Sequence, residues 1–143
     1  METDFLMRGP GEGPRSPAAW RDAIARHKRQ GDIDLVAEAD GQLVGMSGAI
    51  RGEYARNKHV ATLGIAIRKS HARRGIGAAM MLALEDWARS QGVTRLELSV
   101  MQSNKGARRF YRRLGYRTEG RKRRAVKLGD RYVDEVMMAK QIS

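Results

Sequence analysis

The chain has 143 residues, 41% of them hydrophobic, and its 28 Lys or Arg against 16 Asp or Glu give a net charge of +12. That length fits one domain with a real core, and that composition excludes an intrinsically disordered chain. The sequence holds no cysteine, which excludes disulfides, thiolate metal sites and a cysteine nucleophile and fits a cytoplasmic location.

The opening METDFLMRGPGEG has neither the basic nor the apolar region of a signal peptide, and no apolar run is long enough to cross a bilayer, so no membrane partner is expected. Residues 1–15 are rich in Gly and Pro and read as a flexible segment ahead of a single domain at 16–143. Ser16-Pro17 reads as an N-cap and first helical residue, with a helix over 16–30 closed by Gly31. The runs 33–40 and 42–50 alternate around Asp40-Gly41, a strong hairpin signal. Residues 52–59 are polar loop or a strand end, and 60–67 reads as a third strand. Over 75–91 the period changes, with Ile76, Met80, Ala83, Leu84 and Trp87 at helical spacing and Gln91-Gly92 as the stop.

Residues 95–101 alternate as a strand. Ser103 or Asn104 caps a second amphipathic helix, with Ala107, Phe110, Tyr111 and Leu114 on its apolar face and Gly115 at its end. Two further strands, 116–127 and 131–140, meet at Leu128-Gly129-Asp130. Antiparallel hairpins surround one strand–helix–strand unit, which requires a parallel crossover. The predicted class is α+β with a mixed, mostly antiparallel sheet.

Charge is concentrated late in the chain. Residues 105–127 hold eleven Lys or Arg and one acid, Glu119. Such a window suits an anionic partner, whether a nucleic acid, a phosphorylated cofactor or an acidic surface, and it equally describes a solvated face. A second anion signal is the run His71 to Met80, in which Arg73 and Arg74 precede Gly75-Ile76-Gly77 at a helix start. Unpaired N–H groups and the positive dipole end favour anions there, and glycine permits close backbone approach. The pattern is neither a Walker loop nor a dinucleotide fingerprint.

Two constellations in order, the basic Gly-x-Gly helix start and then Asn104-x-x-Ala107-x-x-x-Tyr111 ending at Leu114-Gly115-Tyr116, make the chain resemble the GCN5-related N-acetyltransferase superfamily. Glu119-Gly120-Arg121, then Gly129 to Asp134, then Met137-Met138-Ala139 extend the resemblance, which covers about 16–140. It implies acetyl-CoA as co-substrate, no metal, and direct transfer to a primary amine of a small molecule, peptide or protein. By position it implies that Ile65, Ala66 and Ile67 meet the pantetheine arm. Arg73, Arg74, Gly75, Ile76, Gly77 and Ala78 are then to cradle the pyrophosphate, Asn104 to contact the cofactor from the far side, and Tyr111 to act as general acid at the thioester sulfur. An alkyl amine near pKa 10 must lose a proton before it attacks, and Glu97, Glu53, His59 or water are the candidate bases.

Three departures from the family pattern stand out. Ala72 occupies the place of the usual Arg or Gln, and Ser99 the place where some members carry a glutamate. The family normally begins with a strand and a helix ahead of residue 16, and residues 1–15 are too short and too rich in Gly and Pro to supply both. Either the first strand is absent or the start is truncated; if it is absent, 33–40 becomes a bare edge strand open to homodimer pairing. Two rivals therefore stand beside the enzyme: a basic nucleic-acid- or ribosome-binding module, and a catalytically silent CoA-binding protein on the same scaffold.

Overall fold

A computed structural model describes residues 32–39, 42–67 and 75–143. The predicted helix at 16–30, the Asp40-Gly41 turn, Ala72, Arg73 and Arg74 lie outside the described residues. Among the described residues six strands form one sheet: β1 (Ile33–Ala39), β2 (Gln42–Arg51), β3 (Val60–Ile67), β4 (Arg95–Met101), β5 (Arg117–Leu128) and β6 (Arg131–Gln141). Their order is β1-β2-β3-β4-β6-β5, and only β3 and β4 run parallel. The mixed α+β class expected from the sequence is the one observed.

Helix α1 (Ile76–Ser90) makes the crossover from β3 to β4, and α2 (Lys105–Arg113) follows β4. Both helices stop in the same way. Gly92 (φ 76°) and Gly115 (φ 97°) take left-handed conformations. Past them, Val93 N–H donates to the Ala88 carbonyl and Tyr116 N–H to the Tyr111 carbonyl, the double-bonded Schellman ending. In α2 this ending brings the Tyr116 ring edge-on to Tyr111, with centroids 6.0 Å apart.

The core lies on one face of the sheet. Met81, Leu84 and Ala88 of α1 and Tyr111 of α2 share a buried cluster with Ala61 and Leu63 of β3, Leu96, Leu98 and Val100 of β4, and Val136 and Met138 of β6. The registers Leu98↔Met138 and Val100↔Val136 put these side chains in rows under the helices. One charged pair enters that layer. Glu85 of α1, 2% exposed, accepts Lys140 Nζ of β6 at 3.0 and 3.1 Å, with Arg89 at 3.5 Å.

Candidate active site

The parallel seam is short. Only three residue pairs join β3 to β4, Val60↔Arg95, Ala61↔Leu96 and Thr62↔Glu97. Beyond Thr62, β3 stays paired with β2 as far as Gly45↔Ile67, and β4 stays paired with β6 as far as Met101↔Glu135. The two strands therefore part into a fork. Alternate residues of Leu63–Ile67 turn their N–H and C=O groups into it, where no strand completes the ladder among the described residues. Ile65, Ala66 and Ile67, singled out from the sequence, all stand on this free stretch.

Helix α1 begins at the open end of the fork. A Cβ added at Gly45, the β2 partner of Ile67, would lie 3.2 Å from Met80 Sδ, so the first turns of α1 cover the end of β3. The N-cap is Gly75, at φ 80° and ψ 0° and without a side-chain cap, and the first turn holds no acid. A Cβ at Gly75 would meet nothing within 4 Å among the described residues. The first intrahelical bond recorded at this end is Ala79 N–H to the Gly75 carbonyl, so the N–H groups of Ile76, Gly77 and Ala78 point out of the helix end without helical acceptors. This is an open, positively polarised backbone surface suited to an anion. Gly77 has a second use that the sequence did not reveal, because its Cβ would come within 3.2 Å of Phe110 Cζ. The glycine admits the Phe110 ring and so draws α2 against the start of α1.

Asn104 is the N-cap of α2, and its Oδ1 accepts the Ala107 N–H at 3.1 Å. Tyr111 is 8% exposed, tilted against Phe110, and belongs to the same buried cluster as Leu63, Leu98 and Val100, the core residues just past the last β3–β4 pair. Burial pushes its hydroxyl up from the ordinary phenol value to about 12. Tyr116 is 1% exposed and its hydroxyl also lies well above the ordinary value, through burial and then the nearby Glu85 carboxylate. Phe110 and Tyr116 were not among the expected site residues. The signal for Tyr116 was available in Gly115, since a Schellman ending fixes the residue after the glycine against the last turn.

The candidate bases separate cleanly. Glu97 stands at the vertex of the fork, but Arg95 holds it at 3.1 Å and also reaches Glu119 at 3.0 Å. These two carboxylates raise the Arg95 guanidinium above its usual range. Glu53 and His59 are exposed in the loop before β3, at the opposite end of that strand from the open fork. His59 there borders a cavity of about 410 Å³ with Thr94, Arg95, Gln141, Ile142 and Ser143. The structure thus brings together Ile65 to Ile67, Gly75 to Ala78 and Tyr111, with Asn104 at the start of the Tyr111 helix, and leaves Glu53 and His59 apart from them.

Comparison with known proteins gives a consistent picture. Residues 3–116 match the family model described as the acetyltransferase (GNAT) family. The chain is 31% identical over 125 residues to the L-amino acid N-acetyltransferase AaaT of Escherichia coli K12, covering 85% of this chain and 74% of that protein. A solved acetyltransferase of the GNAT family from Streptococcus pneumoniae superposes with a TM-score of 0.90 at 24% identity, covering 100% of this chain and 86% of the other. The structure of yncA, a putative acetyltransferase from Salmonella typhimurium with its cofactor acetyl-CoA, superposes with a TM-score of 0.83 at 18% identity, covering 99% and 80%.

Proposed function

The chain belongs to the GNAT family of acetyltransferases, and on that premise we propose that it transfers the acetyl group of acetyl-CoA to a primary amine. One observation carries the reading: β3 and β4 part after three residue pairs, beside a helix N-terminus that has neither a side-chain cap nor an acid. The donor set fits the co-substrate. Free backbone groups in the fork suit the amides of the pantetheine arm, and the open Gly75 position suits a pyrophosphate in contact with backbone.

Bound acetyl-CoA supplies an acetyl group already activated as a thioester. In this reading Ile65, Ala66 and Ile67 hold the pantetheine arm through backbone groups. Gly75, Ile76, Gly77 and Ala78 hold the pyrophosphate, Arg73 and Arg74 add charge, and Asn104 closes the other side. A free backbone N–H of Leu63–Ile67 would be the group to stabilise negative charge on the acetyl oxygen. Glu97 is engaged by Arg95, so the proton of the attacking amine passes to water. Tyr111 stays protonated at every physiological pH because its pKa is about 12. A thiol near 8.5 is the stronger acid, so Tyr111 acts as a hydrogen-bond donor that steadies the departing thiolate.

The first acceptor class to assay is the free amino acids, because the Escherichia coli relative is named for them. The test is release of free CoA from acetyl-CoA in the presence of amino acids, simple amines and peptides. A rise in melting temperature with acetyl-CoA, worth about 2.7 kcal/mol at one hundred times Kd, should accompany it. No shift at millimolar acetyl-CoA and no turnover with any amine would remove the reading.

A further inference from the structure

The β5–β6 hairpin is longer than the sheet that carries it. β4 pairs with Glu135–Gln141 only, while Val126, Lys127 and Leu128 pair with Val133, Tyr132 and Arg131 alone. A two-stranded arm therefore stands beyond the C-terminal end of β4. Because β3 and β4 are parallel, this is the end at which the fork opens.

The arm is strongly basic and partly preorganised. Residues 121–133 carry six Lys or Arg and one acid, Asp130. Lys122, Arg123, Lys127 and Arg131 are exposed, and no carboxylate among the described residues pairs with them. The ladder is broken between Lys122 and Val126, and inside that bulge Arg124 takes φ 55°. A left-handed arginine is strained, and Asp134 holds it. One carboxylate oxygen accepts the Arg124 N–H at 2.8 Å and the other lies 3.3 Å from Arg121 Nε. The Arg124 guanidinium then stacks over the Tyr132 ring at 4.3 Å. Protection of an edge strand accounts for charges and a bulge. It does not account for a strained arginine pinned by an aspartate and laid on an aromatic ring.

We propose that this arm docks an acidic polypeptide segment that carries the acceptor amine. The inference rests on the acetyl-transfer reading above. An array of cations at the transfer end selects a polyanion. A nucleic acid without an attached aminoacyl group supplies phosphates but no aliphatic amine to acetylate. The arm also has one exposed aromatic, Tyr132, already stacked against Arg124, which is a poor platform for successive bases. An acidic peptide supplies both the charge and the amine.

The experiment uses the full chain and two peptides with free N-termini and a C-terminal fluorophore, one rich in Glu and one with Gln in place of each Glu. Anisotropy at low salt should show the Glu-rich peptide binding about tenfold more tightly or better. That advantage should vanish near 1 M salt, where the Debye length is about 3 Å. It should also vanish in K122Q/R123Q/K127Q/R131Q, whose altered side chains are exposed and meet no carboxylate among the described residues, Lys127 lying 5.6 Å from the Tyr132 ring. In turnover, the variant should lose kcat/KM for the Glu-rich peptide while its KM for acetyl-CoA and its rate with benzylamine stay unchanged. Equal binding of the two peptides overturns the proposal. So does an effect confined to the acetyl-CoA KM, or a single-stranded oligonucleotide bound in preference to either peptide. Selective peptide binding without acetylation of any amine instead defeats the transfer reading, and with it the acceptor role, while leaving the acidic-peptide site standing.

Discussion

Removal of Lys140 should cost far more than removal of the charge it meets. The Glu85 side chain is 3% exposed and the Lys140 side chain 25% exposed, with 3.0 Å between them. Among the described residues, Lys140→Met leaves a carboxylate under the sheet with Arg89 at 3.5 Å and the Tyr116 hydroxyl nearby. Breaking such a pair costs about 3–5 kcal/mol, and the remaining Arg89 places the expected loss near 3. For a chain of this size that lowers Tm by roughly 6–12 °C. Glu85→Gln leaves an ammonium on a flexible stem that already reaches water, so its expected cost is about 1 kcal/mol. The double variant Glu85→Met/Lys140→Met removes both charges and refills the volume, and it should lie within about 1 kcal/mol of the parent or above it. Urea unfolding of the parent and the three variants measures the coupling directly. If Lys140→Met is no worse than Glu85→Gln, the reasoning from burial is wrong. It is equally wrong if the double variant is destabilised by as much as Lys140→Met.

Tyr111→Phe should lower kcat by about a hundredfold with little change in acetyl-CoA affinity, and unchanged turnover would take the donor role from Tyr111. Its folded pKa, about 12, lies above the unfolded value near 10, so its share of stability is intact below pH 10. That share should decline by about 2–3 kcal/mol as pH rises to 12. The Phe variant should show a shallower alkaline loss in a Tm-versus-pH series. Glu97→Gln should leave kcat within about threefold and leave the rise of rate with pH to follow the acceptor amine; a tenfold drop would make Glu97 the base. Gly75→Ala should cost about 1–2 kcal/mol of stability from backbone strain at φ 80°. It should also blunt the thermal shift with acetyl-CoA; an undiminished shift would move the phosphate site elsewhere.

Much of the fold is written locally in the chain. Val60–Ile67 and Arg95–Met101 have the bounds that alternation alone indicates, and Gly92 and Gly115 mark both helix ends. What was not legible depends on contacts between distant residues. Nothing in VATLGIAI says that pairing with β4 ends at Thr62, because a free strand edge and a paired one have the same apolar pattern. The Glu85–Lys140 pair spans 55 residues of sequence, and Lys140 reads as an exposed strand residue until Leu96↔Lys140 sets it on the helix side. Arginine is no turn residue, so the left-handed bulge at Arg124 had no sequence mark; it exists because Asp134, on the next strand, accepts its N–H. Among the proposed site residues, Gly75 and Asn104 were recognisable as helix starts. The Gly77–Phe110 contact was not, since it depends on how two helices meet.

The fork also divides the hydrogen-bond ladder of the sheet. On one side β1, β2 and β3 form an antiparallel panel, and on the other β4, β6 and β5 form a second. Seven residue pairs tie β2 to β3 and seven tie β4 to β6, against three across the seam between the panels. A ligand with its own amides, laid along the open part of that seam, would act as a seventh strand between them. It would carry the ladder across the seam between two half-sheets that already share one core, so that occupying the site stiffens the sheet at its narrowest join.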